Sequence, residues 1–173
     1  MSPRTLASVR SEIRRPTKTV ELLLDGELVE RVERLEHEHA EALRTDEESN
    51  APDRAPAIAV EIDALREQAE ESRQTFTFQA LPHRAYRRLL TEHPPTVEQI
   101  AQAKDNGLEA SAFDPDTFAP VLVAATCTDP TGTPEEWAEM WGELSDGQVA
   151  TLFTTSLATQ FQVPDLAPKS VTG

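Results

Sequence analysis

Between Gln74 and Pro95 the chain reads QTFTFQALPHRAYRRLLTEHPP, and its apolar period changes from two to about four within a few residues. Polar Thr75, Thr77 and Gln79 alternate with Phe76, Phe78 and Ala80, so a short strand with one apolar face is expected. Leu81 and Pro82 then end the alternation. Proline suits the first turn of a helix, where its missing N–H would have no intrahelical partner. A helix from about Pro82 to Glu92 follows, with Ala85, Tyr86, Leu89 and Leu90 in one stripe and Arg84, Arg87 and Arg88 on the flank or opposite face. His93, Pro94 and Pro95 stop it, because a residue before proline avoids helical dihedrals.

The rest of the 173 residues divides around this switch. Only 38% of the chain is hydrophobic, 5% is aromatic and thirteen prolines interrupt the pattern, so one core using every residue would be thin. A small compact domain with a long appendage is therefore expected. Residues 1–24 hold five Lys or Arg against two Glu, residues 25–73 six against sixteen, and residues 74–173 five against thirteen. The net charge is −15, and so acidic a body repels nucleic-acid phosphate. Only a flexible basic arm, residues 1–16 with Arg4, Arg10, Arg14 and Arg15, together with nearby Lys18, offers the opposite sign. It lacks the interleaved aromatics of a nucleic-acid site, and nucleic acid is not an expected partner. No apolar run is long enough to cross a bilayer and no secretory leader opens the chain, so neither a membrane nor secretion is expected.

Residues 17–73 are expected to form a strand and an acidic helical hairpin. The strand is Thr17 to Leu24, ended by the turn signal Asp25-Gly26. A helix from Glu27 to about Arg44 carries Leu28, Val32, Leu35, His39 and Leu43 at spacings of three and four. Residues 45–56, TDEESNAPDRAP, have a linker composition. A second helix, about Ala57 to Arg73, carries Ile58, Ile62, Leu65 and Ala69. Each stripe is too narrow to be stable alone in water, so the two helices either cover each other or form a coiled coil between copies of the chain. Stripes under three heptads leave that choice, and a homo-oligomer, open.

Residues 74–162 are expected to be a strand plus a compact domain of four to five short helices, making the fold mainly α with a small two-stranded β element. Thr96 caps a helix to Lys104; Asp114-Pro115 starts one bearing Phe118, Val121, Leu122, Ala125 and Thr126. Thr133 with Glu136, and Ser145 with Gln148, have capping-box spacing. The last helix presents Val149, Leu152, Phe153, Leu157 and Phe161. Phe113, Phe118, Trp137, Trp141, Phe153 and Phe161 are expected in one core, and residues 163–173 as a flexible tail.

Catalytic patterns are missing from this sequence. His37 and His39 are two apart and diverge by about 200° on a helix, so they do not chelate as an i, i+4 pair would. His83 and His93 bracket a helix without ligand spacing around them, and Cys127, the single cysteine, lies in an apolar helical context as an inert small side chain. With six glycines there is no phosphate-cradling loop, and thirty-one acids make close carboxylate pairs a feature of a solvated face. No catalytic residue, metal or cofactor is expected. Two places are candidates for binding a partner: the stripe of Leu28, Val32, Leu35, Ile58, Ile62 and Leu65, and the patch of Arg84, Arg87 and Arg88. The competing reading makes the stripe internal packing and the arginines neutralisers of nearby acids.

Four motifs together carry a resemblance. They are the F-x-F-x-A-L strand and R-A-Y-x-x-L-L-x-x-H-P-P helix of Phe76 to Pro95, the segment FDPDTFAPVLVAATC of Phe113 to Cys127, and L-S-x-G-Q at Leu144 to Gln148. Their order and spacing resemble the tail assembly chaperones of long-tailed phages and prophages of Streptomyces-type actinobacteria. Most of residues 17–162 takes part, and Tyr86 stands where tryptophan is more usual. The resemblance implies a non-enzymatic protein of the bacterial cytoplasm that coats the tape measure protein, helps recruit the tail tube protein, and is absent from the finished particle. Against it stand a structural tail or neck protein retained in the virion, and a DNA-binding protein that uses the basic arm.

Overall fold

The computed structural model describes residues 5–49 and 54–163; the first four residues and the segment 164–173 lie outside it. Among the described residues it holds eight α-helices and a three-stranded sheet. The chain is mainly helical, as the patterning requires, but the sheet has one strand more than expected.

The basic arm contains a helix, α1 (Leu6–Glu12), where only loose chain is expected. Thr5 caps it by accepting from the Ser8 amide at 3.2 Å. Pro16 precedes β1 (Thr17–Leu23). Asp25 then accepts the Leu28 amide at 3.1 Å and opens α2 (Gly26–Ser49). Its partner, α3, spans Arg54–Glu71. The expected linker of residues 45–56 is thus mostly helix, with only 50–53 outside the described residues. Residues 45–49 contain neither proline nor glycine, and Pro56 falls in the first turn of α3, where proline costs no hydrogen bond.

β2 (Arg73–Gln79) matches the alternation, burying Phe76 and Phe78 completely. Then come α4 (His83–Glu92), α5 (Val97–Asp105), α6 (Pro115–Thr126), β3 (Cys127–Asp129), α7 (Pro134–Glu143) and α8 (Asp146–Phe161). The strand order is β1-β2-β3, with β2 and β3 antiparallel, Thr77 opposite Asp129 and Phe78 opposite Cys127. β3 corrects an expectation, since Cys127 is not inside a helix. Cys127 is the C-cap of α6, its amide donating to the Val123 carbonyl as the chain becomes extended. Three residues are too few to show a period.

The chain divides into two compact units, one of residues 21–75 and one of the remainder. In the first, α2 and α3 lie together around Ala42, Ala55, Ile58 and Ile62, with Val32 and Leu35 packed on them. Ion pairs Arg31–Glu61 at 2.7 Å and Arg66–Glu36 run between the two helices.

The second unit is centred on Tyr86, Phe118 and Leu122, with Leu81, Leu89, Leu90, Phe113, Phe153 and Leu157 around them. Capping boxes at Thr96/Gln99, Thr133/Glu136 and Ser145/Gln148 fix the starts of α5, α7 and α8. The buried face of α6 is Phe118, Ala119, Leu122, Val123 and Thr126, so Val121 and Ala125 point outward, contrary to expectation. Rows spaced three and four apart fit two faces of a helix this apolar, and the neighbours decide which is covered. Trp137 is buried, with its ring 6.5 Å from Phe76, whereas Trp141 is half-buried and Phe161 exposed. Not all six large aromatics are core.

Small polar residues join α6 to α8. Thr126, Ser156 and Thr159 are fully buried, and the hydroxyls of Thr126 and Ser156 meet at 2.7 Å. Because Thr126 donates to the Leu122 carbonyl at 2.7 Å, its oxygen is left to accept from Ser156. Thr126→Val keeps the shape and removes that acceptor, stranding the Ser156 hydroxyl. It is expected to lower stability in urea by about 1–3 kcal/mol, and Thr126→Val/Ser156→Ala to recover part of the loss.

Candidate binding groove

α4 enters from β2 through Ala80, Leu81 and Pro82, and this entrance is clamped from the far end of the unit. The Gln160 side chain of α8 accepts the Leu81 amide at 2.8 Å and donates to the Leu81 carbonyl at 3.2 Å. One side-chain amide thus satisfies both backbone groups of a half-buried residue, as a paired strand would. The clamp sets α8 beside α4.

Between these helices lies a groove of about 410 Å³, closed on its third side by Ala112 and Phe113 ahead of α6. Tyr86, Leu90, Phe113, Leu157 and Phe161 give it an apolar lining, while His83, Arg87 and Gln160 supply the polar positions. Tyr86 is buried, and desolvation raises its phenol above the ordinary range, so it stays neutral. Phe161 meets the Tyr86 ring edge-on at 5.8 Å yet remains 67% exposed. An aromatic in that state is held by one neighbour and keeps apolar surface for another molecule.

The third wall depends on Asp114, the N-cap of α6. Its carboxylate accepts from Gln99 Nε2 at 2.8 Å, the Asp116 amide at 3.2 Å and Thr117 Oγ1 at 3.1 Å. The Gln99 bond above all, then the other two and the nearby His93, hold its carboxyl below the usual carboxylate range against the opposing effect of desolvation.

The structure separates the two sets of partner-binding candidates. Ile58, Ile62 and Leu65 are buried, and Leu28, Val32 and Leu35 half-buried. Ile58, Ile62, Val32 and Leu35 belong to the α2–α3 contact, so these four positions of the stripe are internal packing and not a free surface. Arg84, Arg87 and Arg88 are exposed on α4. Arg88 pairs with Glu92 at 3.6 Å, the neutralising role the competing reading gives it. Among the described residues Arg84 and Arg87 are in no ion pair, and Arg87 stands on the groove. Gln160 and the exposed face of Phe161 were not picked out as site features from the sequence. Gln160 leaves no local signal, because its partner is 79 positions away.

Among the described residues no three His, Cys, Asp or Glu side chains are placed to hold a metal. Cys127 is buried, its thiol raised first by desolvation, so little thiolate forms at neutral pH. No helix among the described residues is long and apolar enough to cross a membrane.

The lowered carboxyl of Asp114 makes stability depend on pH. Its bonds favour the ionised form in the folded state, so their contribution is full above the unfolded value of about 3.9 and is lost as pH falls through the lower folded value. Urea unfolding of the protein and of Asp114→Asn should show a stability difference that is constant above about pH 5 and narrows as pH drops below about 4. A difference unchanged by acid would mean that the carboxylate charge does not matter there.

No family model matches the chain, and neither a curated protein nor a solved structure matches it.

Proposed function

We propose that this chain is a non-enzymatic assembly chaperone of a phage or prophage tail, which holds an amphipathic helix of the tape measure protein in the groove between α4 and α8. One observation carries the choice of surface: an aromatic slot with Phe161 exposed on one side and an unpaired Arg87 on the other, in a chain of net charge −15. A helix laid in such a slot buries an apolar stripe and offers an acid to Arg87. The motif order of residues 76–148 supports the tail reading.

The acidic helical pair α2 and α3 has a different part in this reading. The apolar residues of its contact are spent on each other, and its charged outer faces keep a chaperone and its aggregation-prone client in solution until the tail tube protein arrives. The work takes place in the host cytoplasm, and the chaperone leaves before the particle is complete.

Co-expression with the tape measure protein of the same genome tests both levels. The client's soluble yield should rise and a complex should survive size-exclusion chromatography. Phe161→Ala/Arg87→Glu, which alters exposed residues, should weaken that complex about tenfold or more. An unchanged client yield with no complex rejects the chaperone role, and a complex indifferent to the double variant rejects the groove. Purified particles containing the protein in stoichiometric amount, by mass spectrometry, would instead make it a structural tail or neck protein.

A further inference from the structure

α1 is a formed helix that lies exposed along its whole length. Every residue from Thr5 to Arg15 is exposed, with Leu6 at 83% and Ile13 at 62%. Leu6 and Val9, three residues apart, share a face that Ile13 continues at the C-cap. Seven residues do not make a stable helix in water by themselves. The base of the arm, however, is fastened. Arg15 donates to the Ala80 carbonyl and to Gln79 Oε1, both at 3.0 Å, and the Ala80 amide donates to the Pro16 carbonyl at 3.0 Å. A short apolar stripe is thus presented from a fixed point. Arg10 and Arg14 lie beside it, in no ion pair among the described residues.

On the same unit, α6 and α7 enclose a groove of about 380 Å³ lined by Pro120, Val121, Ala124, Ala125, Trp137 and Ala138 among others, none of them charged. Three alanines in its wall leave room for branched side chains. Glu135 and Glu139 occupy the α7 positions beside Ala138; both are exposed and in no ion pair among the described residues. The arm is an apolar stripe with arginines beside it, and the groove an apolar slot with two exposed glutamates on the helix that forms one of its walls.

We propose that α1 of one copy seats in the α6–α7 groove of a second copy, with Leu6 and Val9 in the slot and Arg10 and Arg14 facing Glu135 and Glu139. Within one chain α1 stays exposed, so the groove it matches is that of another molecule. Reciprocal exchange gives a closed two-fold dimer in which the small contact is made twice. This inference stands apart from the tail reading and uses a different groove.

Sedimentation of the full chain from about 1 µM to about 100 µM, the range in which small interfaces dissociate, tests it. The protein should pass from monomer to dimer across that range. Leu6→Glu/Val9→Glu and, separately, Ala125→Glu should stay monomeric throughout; all three positions are exposed, and unchanged circular dichroism will show the fold intact. Arg10→Glu/Arg14→Glu should weaken the dimer, and adding Glu135→Arg/Glu139→Arg should restore it. A wild-type chain that is monomeric at every concentration overturns the proposal and assigns the stripe to some other partner. A dimer that survives Leu6→Glu/Val9→Glu overturns it as well, and failure of the charge reversal to restore association rejects the pairing of arm with groove.

Discussion

Phe118 is where α4, α6 and α8 are tied together. Its ring has no exposed surface, and four other rings surround it: Phe113 at 4.4 Å, Tyr86 edge-on at 6.1 Å, His93 at 6.2 Å and Phe153 edge-on at 6.4 Å. Burying one such side chain is worth about 1.5–3 kcal/mol, and each well-angled ring pair about 0.5–1.5 kcal/mol more. Its position follows from polar atoms. The Phe118 amide makes the first helical bond of α6, to the Asp114 carbonyl at 2.9 Å, while the Asp114 carboxylate is held by Gln99 of α5. A cap on one helix and a capping-box glutamine on another therefore place the ring on which three helices close.

The unit of α2 and α3 works on another principle. Its contact uses small side chains, Ala42 and Ala55 beside Ile58 and Ile62, and its charged groups stay in solvent. Arg73 reaches Glu70 and Glu21, and Arg31 and Arg66 reach across to the facing helix, yet exposed pairs of this kind contribute about 0–1 kcal/mol each. They set which faces meet more than how tightly they hold. Acids not used in these pairs dominate the outer faces, which is why so much of the net charge collects between residues 25 and 73.

How legible the fold was depended on the range of the interaction responsible. Local chemistry could be read: Thr96, Asp114, Thr133 and Ser145 all cap helices, and Phe76 and Phe78 face inward from a strand. Helix ends without proline or glycine could not, so α2 runs on through Thr45 to Ser49 although the composition reads as linker. β3 exists because β2 offers it an edge, and the outward turn of Val121 and Ala125 is decided by what covers α6. Of the groove, Arg87 was legible as an exposed charge on an amphipathic helix. The buried Ile58, Ile62 and Leu65 show the opposite limit, because an apolar stripe read from sequence does not say whether it meets a neighbour in its own chain or in another.

The bond between Gln160 and Leu81 joins positions 79 apart, so everything from α4 to α8 lies inside the loop that it closes. A contact of that span pays its closure entropy in full before returning any energy, which favours its forming after the shorter-range packing around Phe118. The groove wall made by Leu157 and Phe161 is delivered by the same event. During synthesis, moreover, α8 is the last of these helices to leave the ribosome, so an incomplete chain has an α4 with no slot beside it. The order of assembly itself keeps the groove closed to ligands until the domain that holds it is whole.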